Sequence, residues 1–511
     1  MKQRGFCMLL KSMLLDMPHE LLCGDIEKTI TGVQQDSRKV VMNTLFIAVK
    51  GFKVDGHNYI NKAVDMGATA VVVTEYSKSL IAELEDKNVT LILCTDDRAA
   101  MSYLSAYFYG RPSEKLKMIG LTGTNGKTST CRILTDMLIA SGISTGLLGT
   151  IANEIGGKTY KASLTTPEPI ELHGLLSTMV EDGIEACVME ASSHALDLKR
   201  VEDVDYDYSV FTNLTEDHLD YHENFEDYFR AKTKLFDMTS KGRLINVDDP
   251  YGKRLFDQYN EKSLVTQTSA QEKVETISYG LNSDAMLRAK NIEYTEAGSR
   301  YTLATPNGEV NVEVPLPGRI YVYNTLAAFG VLYMMGKTLG EIAKCALAIT
   351  PVPGRMEQVK HESQIKVFVD YAHTPDALSN AIDIVKSMTK NKVITVFGCG
   401  GDRDAMKRPQ MGQIAEEKSD QIIVTSDNPR TEDPLKIIKN ITQGLNYPEN
   451  AIIEPDRKSA IGKAISVATK GDIVLIAGKG HETYQEINGI RYEFDDREIA
   501  LGYLNVEENN D

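Results

Sequence analysis

No CxxC pair occurs in the chain, and its seven cysteines (Cys7, Cys23, Cys94, Cys131, Cys187, Cys345 and Cys399) are scattered and odd in number. Neither a disulfide framework nor a structural zinc site fits that pattern, and a reducing compartment does. Long apolar runs are also missing, since no stretch approaches the ~18 residues that a membrane helix needs. The amino terminus opens with Lys2 and Arg4, but Lys11 and Asp16 break the apolar stretch behind them before it reaches signal-peptide form. These absences predict a cytoplasmic protein with no membrane partner. An excess of basic residues is lacking as well: 56 Lys and Arg stand against 72 Asp and Glu, a net charge of -16. That balance opposes binding to a nucleic-acid backbone, whereas an anionic small substrate needs only a local gathering of basic side chains. There is no internal repeat and no low-complexity segment.

What is present is the composition of folded globular protein, 42% hydrophobic and 25% charged over 511 residues. That length is too great for one hydrophobic core. The first hundred residues alternate short strands (44–49, 70–74 and 90–94) with helical patterns, as α/β architecture does. Dense turn chemistry at Gly110, Arg111 and Pro112, and again at Pro351, Pro353 and Gly354, marks two linkers. The expected domains are therefore residues 1–112, 113–351 and 352–511. In the last of these, four apolar strands (366–369, 392–397, 421–425 and 472–477) alternate with helical stretches, which reads as a Rossmann-like, doubly wound parallel sheet. Each strand runs into a polar loop: DYAHTPDA, GCGGDRD, SDNPRTEDP and GKGHET. Ligands bind at the carboxyl ends of strands in such sheets, so four polar loops in register there mark a site. The acidic residues after Val506 predict an unpacked tail.

The segment KMIGLTGTNGKTSTCRILTDMLIASG sets a strand, a glycine-rich turn and an amphipathic helix in order. That is the context of a phosphate loop, in which backbone N–H groups and a helix amino terminus cradle phosphate oxygens. Lys127 would reach the terminal phosphates and the Thr128 hydroxyl would ligate Mg²⁺. The common spacing asks for glycine where Leu121 stands, and the glycines here are Gly120, Gly123 and Gly126, so the loop is a variant; the alternative is a turn without a ligand.

Further on, an apolar strand ends in Glu190, a carboxylate at a strand edge that can hold Mg²⁺. A second polar loop, TNLTEDHLDYH, carries Asp217, His218 and His222. The following helical stretch, FEDYFRAKTKLF, places Phe225, Tyr228, Phe229, Leu235 and Phe236 on one face, with Lys232 at its centre. A lysine centred on a buried face is costly unless it is paired, functional or chemically altered. Carbamylation would turn its cation into an anion with two oxygen ligands; a lysine snorkelling at a domain edge is the alternative.

With these residues laid out, the chain closely resembles the Mur ligases, the ATP-dependent amide-forming enzymes of peptidoglycan precursor synthesis, and among them the members that add diaminopimelate. DSRKV, GLTGTNGKTST, LTTPEP, MEASSHAL, FTNLTEDHLDYH, PGRMEQV, VDYAHTPDAL, FGCGGDRDAMKRP, SDNPRTEDP and AGKGHE carry the likeness in order. The resemblance implies a substrate-binding first domain, a central P-loop ATPase-like domain with a parallel-sheet core and an amino-acid-binding third domain. It implies that Ser37 contacts the UDP part of the substrate and that Thr165, Thr166, Ser192 and Arg200 hold its muramoyl-peptide part. Gly123, Thr124, Asn125, Gly126, Lys127, Thr128 and Ser129 would wrap the ATP phosphates, with Asn324 and Arg355 as further nucleotide contacts. Thr128, Glu190, His218 and carbamylated Lys232 would surround Mg²⁺. Arg403, Asp427, Asn428, Pro429, Arg430, Gly478 and Glu482 would bind the incoming amino acid.

The implied reaction, in a monomer acting on UDP-muramoyl dipeptide and meso-diaminopimelate, passes through an acyl phosphate. Lys127 would act on the transferring phosphoryl group and His373 would relay the amine's proton. One departure from the family is Tyr321, where asparagine is frequent. L-Lysine as the amino acid, a ligase like folylpolyglutamate synthetase, and a non-catalytic nucleotide-binding assembly protein are the alternatives.

Overall fold

The structure, a computed structural model, describes residues 6–52, 54–219, 221–265, 274–295 and 298–507. The charged start at Lys2 and Arg4 and residues 508–511 of the acidic tail lie outside the described residues. Among the described residues no helix is long and apolar enough to cross a membrane. All seven thiols are free, and six of them are buried, Cys7 being the exposed one.

Three main sheets follow one another along the chain. The first has five strands in the order Glu20–Cys23, Thr90–Leu93, Ala68–Val73, Thr44–Ile47 and Gly32–Gln34, parallel except for the Glu20–Cys23 edge. Successive side chains of a strand point to opposite faces. Leu45, Ile47, Ala70 and Val72 accordingly enter one packed layer, and Phe46, Val71 and Val73 enter the other. Burial on both faces is why these strands read as continuous apolar runs rather than alternating ones.

The second sheet has eleven strands. At its centre Lys117–Thr122 lies between Ala186–Glu190 and Tyr206–Phe211, all parallel, and the parallel core extends outward through Thr145–Leu148 on one side and Thr239–Asn246 and Glu275–Gly280 on the other. Two antiparallel arms, absent from the sequence reading, complete it. One is the hairpin Ala152–Ile155 with Lys158–Lys161, turned by Gly156 and Gly157 at φ 56° and 76°. The other is the meander Leu287–Thr295, Gly298–Thr305 and Gly308–Val314. A helix buried almost all round, Arg319–Met334, packs on the helix Lys127–Ala140 behind the glycine-rich turn.

The third sheet runs Glu357–Gln358, Lys366–Asp370, Ile473–Ala477, Val393–Phe397, Gln421–Val424 and Ile452–Ile453, with only the first strand antiparallel. The four strands expected from the sequence are its centre, and the two added edges are two residues long. Inside DYAHTPDA, Thr374 caps the helix Pro375–Ser387, accepting the Ala377 N–H at 3.3 Å, and Pro375 supplies the preset first-turn φ. The α/β architecture, with a parallel-sheet central part and a doubly wound carboxyl-terminal part, is the one expected.

Candidate active site

The glycine-rich turn lies at the carboxyl end of the central strand. Gly123 has φ 148°, and a Cβ there would lie 1.9 Å from Thr212 Oγ1; Gly126, at φ 87°, begins the helix with Asn324 Oδ1 2.8 Å from where its Cβ would be. No larger residue fits either place, so the turn needs its glycines for shape. The neighbouring strand end fixes it: Thr212 donates to the Asn125 carbonyl at 2.7 Å, and the Asn125 N–H reaches Asn213 Oδ1 at 2.8 Å. Thr212 and Asn213 are the positioning residues that sequence reasoning left unassigned within FTNLTEDHLDYH.

Lys127 folds back onto this turn and donates to the carbonyls of Gly123 and Thr124 at 2.8 and 2.9 Å. Lys232, on the helix Phe225–Asp237, is 1% exposed and donates to the same Gly123 carbonyl at 2.8 Å, its nitrogen 4.4 Å from the centre of the Tyr228 ring. Two amines therefore share one carbonyl oxygen. Burial first, and the Lys127 charge second, push the Lys232 amine well below the ordinary lysine range. It is a core lysine rather than a snorkelling one.

Glu190 is 1% exposed and accepts the Thr128 hydroxyl at 3.0 Å and the Thr150 N–H at 2.8 Å. Thr150 in turn meets Thr165 at 3.1 Å. His218, in the left-handed region at φ 56°, has its ring 3.5 Å from Asp217 and edge-on to His194. The Glu190 carboxylate and the Thr128 hydroxyl in contact offer oxygen donors of the kind that suit a hard divalent cation.

On the side of the first sheet, Thr166 donates to the Glu190 carbonyl at 2.8 Å and accepts the Ser192 N–H at 3.0 Å. Arg200 pairs with Glu168 at 2.9 Å. Arg200, Glu168 and Ser37 line one cavity of about 720 Å³ between the first and second blocks. Ser37 and Arg200, 163 positions apart in sequence, thus meet at a single opening.

The third block reaches the same place. Arg355 stands over Tyr371, 4.6 Å from the ring centre, and donates to Thr128 Oγ1 at 3.4 Å; Asp376 accepts from the Asn125 amide at 3.2 Å. Tyr321, the departure from the family pattern, donates its hydroxyl to the Arg355 carbonyl at 3.1 Å. His373 has Nδ1 2.8 Å from the Tyr371 carbonyl, and burial, then Lys407, holds its imidazole down to about 4. Ser129 is buried on the first turn of its helix.

Along the third sheet Asp427, Asn428, Gly478 and Glu482 come together. Asn428 donates to Glu482 at 2.7 Å, and Gly478, at φ 117°, leaves room for Asp427 Oδ2 where a Cβ would lie 2.5 Å away. Lys479, fully buried and not singled out by the sequence, bridges Asn428 Oδ1 at 3.0 Å and Glu482 at 3.2 Å. Burial raises the Glu482 carboxyl, against the pull of Lys479.

Arg403 and Arg430 flank Gly400. Arg430 donates to the Gly401 carbonyl at 2.7 Å and is held at φ 50° by the hairpin Tyr484–Ile487 and Ile490–Glu493, whose Glu486 carbonyl and Asn488 N–H take its backbone groups. Pro429 closes on Gly401, its carbonyl oxygen 1.9 Å from where a Cβ would stand. The two acidic residues that follow on the same loop, Glu432 and Asp433, are engaged elsewhere. Glu432 holds the buried Arg408 through two bonds of 2.8 and 2.9 Å, and Asp433 caps the helix Pro434–Thr442. Among the described residues no carboxylate pairs with Arg430.

Known proteins are similar to this chain along nearly its whole length. Family models match in three stretches: the Mur ligase middle domain over residues 121–332, the Mur ligase glutamate ligase domain over 354–480 and the Mur ligase family catalytic domain over 29–109. A Clostridium perfringens protein named UDP-N-acetylmuramoyl-L-alanyl-D-glutamate--2,6-diaminopimelate ligase is 43% identical over 499 residues, 97% of this chain and 99% of that protein. A solved structure of a ligase with that name is 31% identical, with a TM-score of 0.69, over 98% of this chain and 99% of its own. A Thermotoga maritima MurF ligase solved with ADP has a TM-score of 0.61 at 18% identity over 94% and 98% of the two chains, a likeness of fold. On this ground the chain belongs to the Mur ligase family.

Proposed function

We propose that this chain is an ATP-dependent, ADP-forming ligase that joins meso-diaminopimelate to UDP-N-acetylmuramoyl-L-alanyl-D-glutamate in peptidoglycan precursor synthesis. The observation that carries the reading is the convergence on one phosphate loop of three groups: the Glu190 and Thr128 pair, the Thr166 and Ser192 pair beside the large cavity, and Arg355 and Asp376 from the third block. Residues 1–112 would take the UDP-muramoyl part, 113–351 the ATP and 352–511 the amino acid.

The D-glutamate γ-carboxylate attacks the γ-phosphorus of ATP, ADP leaves and an acyl phosphate forms. The amine of the amino acid then attacks the acyl carbon and phosphate departs. Lys127 trades its two carbonyl partners for phosphate oxygens, and Arg355 adds a second cation from the opposite side; phosphoryl transfer depends mainly on such positioning and charge. Thr128, Glu190, His218 and carbamylated Lys232 would hold Mg²⁺, which when bound offsets the phosphate charge. His373, neutral at pH 7 and with Nδ1 engaged by Tyr371, offers Nε2 to the proton that the amine loses.

Purified protein is expected to turn over ATP only when UDP-muramoyl dipeptide and a diamino acid are both present, with an amide product by mass spectrometry. Turnover indifferent to the dipeptide would point to another acceptor.

A motion is required as well. Between the phosphate loop, Asn324 and the third block the cavity is about 70 Å³, too small for a nucleoside. The third block must swing about Pro351 to Gly354 to admit ATP and return to align the reacting groups. The free protein is therefore expected to open in solution, and small-angle scattering should register a smaller radius of gyration once an ATP analogue and UDP-muramoyl dipeptide are bound. The same radius at confirmed saturation speaks against closure.

A further inference from the structure

Behind the amino-acid loops lies a buried ion pair that the reaction itself does not use. Arg457 and Asp496 have side chains with no solvent exposure, and they meet through two parallel bonds, Nε to Oδ1 at 2.8 Å and Nη2 to Oδ2 at 2.7 Å. The guanidinium has donors to spare. Nη1 donates to the Ser426 carbonyl at 3.3 Å and Nη2 to the Ala477 carbonyl at 3.0 Å. Ser426 directly precedes Asp427 and Asn428, and Ala477 directly precedes Gly478 and Lys479. One planar group therefore spans the ends of two strands that are not hydrogen-bonded neighbours, Gln421–Val424 and Ile473–Ala477, because Val393–Phe397 lies between them.

We propose that Arg457, held by Asp496, is a positioning residue for the amino-acid site: it sets the distance between the loop bearing Asp427 and Asn428 and the loop bearing Gly478 and Glu482. The inference rests on the function proposed above. Its physical basis is the rigidity of a guanidinium, which fixes its acceptors in one plane as no flexible ammonium does. The contact between Asn428 and Glu482, 2.7 Å long, crosses the gap between the loops and depends on that spacing. Asp496 balances the buried guanidinium's charge and orients its plane, and helix Asp496–Glu507 thereby takes part in the site from behind.

Removing one partner would strand a buried charge, whereas replacing both with apolar residues of similar volume leaves the core intact more often. The test is therefore the double variant Arg457→Met with Asp496→Leu, beside the single variant Arg457→Lys, which keeps the ion pair and gives up the carbonyl contacts. Two quantities are read on each. One is formation of the acyl phosphate from ATP and UDP-muramoyl dipeptide, trapped as hydroxamate by hydroxylamine in the absence of amino acid. The other is KM for meso-diaminopimelate in the full reaction.

The expected result is hydroxamate formation within threefold of wild type and a KM for the amino acid raised tenfold or more in the folded variants, with the lysine variant between the two. An unchanged KM overturns the proposal, as does a loss of hydroxamate formation in step with the rise in KM or a failure of both variants to fold, each of which makes the pair a stability element only. Failure of the wild type to form hydroxamate would count against the acyl phosphate reading, while the amino-acid KM would still decide the role of Arg457.

Discussion

Lys232→Ala is expected to lower the ligation rate by at least about a hundredfold, the scale for losing one preorganised charge at a reacting centre. The folded structure should persist by circular dichroism. The reasoning begins with an amine that is 1% exposed, faces the Tyr228 ring and shares the Gly123 carbonyl with Lys127. Burial, and next to it the neighbouring Lys127 ammonium, drive the Lys232 amine towards its neutral form. A neutral amine is a nucleophile: its lone pair would attack the carbon of CO₂, forming a C–N bond, releasing one proton and leaving a carbamate anion. Carbamylation would thus set an opposite charge beside Lys127 in place of a like one. Acetate or formate, supplied to the alanine variant, is expected to restore part of the activity by offering the missing oxygens. Near-normal ligation by the unsupplemented variant at neutral pH would remove Lys232 from the metal site.

Discrimination between amino acids should be nearly as large. Wild type is expected to prefer meso-diaminopimelate over L-lysine in kcat/KM by about tenfold to more than a hundredfold, since leaving a charged hydrogen-bonding group without its partner costs about 1.5–3 kcal/mol. Diaminopimelate carries a distal carboxylate that lysine lacks, and Arg430 is the cation suited to receive it. Its rivals are occupied: Glu432 by Arg408 and Asp433 by the start of a helix. The hairpin behind it fixes its backbone, and among the described residues its planar fork is hydrogen-bonded to the Gly401 carbonyl. Arg430→Ala should bring the two amino acids close to parity. Equal use of both by wild type sinks the claim, and a preference that survives the alanine change transfers it to Arg403 or Glu482.

The phosphate loop could be read from the sequence because its shape leaves few residue choices: Gly123 and Gly126 stand where a Cβ would strike Thr212 or Asn324. Lys232 was legible for a different reason, the 3.6-residue period of its helix, which put a cation where an apolar side chain belonged. What it touches was hidden, because the Gly123 carbonyl is 109 residues away. The hairpin arm Lys158–Lys161 escaped notice since its side chains are mostly exposed and polar and show no alternation. Arg457 left no mark either. A buried arginine looks like a surface one until its partner is known, and Asp496 is 39 residues distant. The four polar loops of the third sheet were found as a group because they recur after apolar strands. The Asn488 and Gly489 turn that holds Arg430 carried its own signal, an Asn-Gly step between two short runs, which marks a tight hairpin.

The distribution of thiols has a practical side. Burial pushes Cys94 up to about 11 and Cys399 up to about 12, and raises Cys131 and Cys187 as well, so these sulfurs are both shielded and protonated at neutral pH. Cys7 alone is exposed, ahead of the first sheet and far along the chain from every catalytic motif. A maleimide dye would thus attach to the native protein at one position without mutagenesis, and the remaining sulfurs would count the molecules that have come apart.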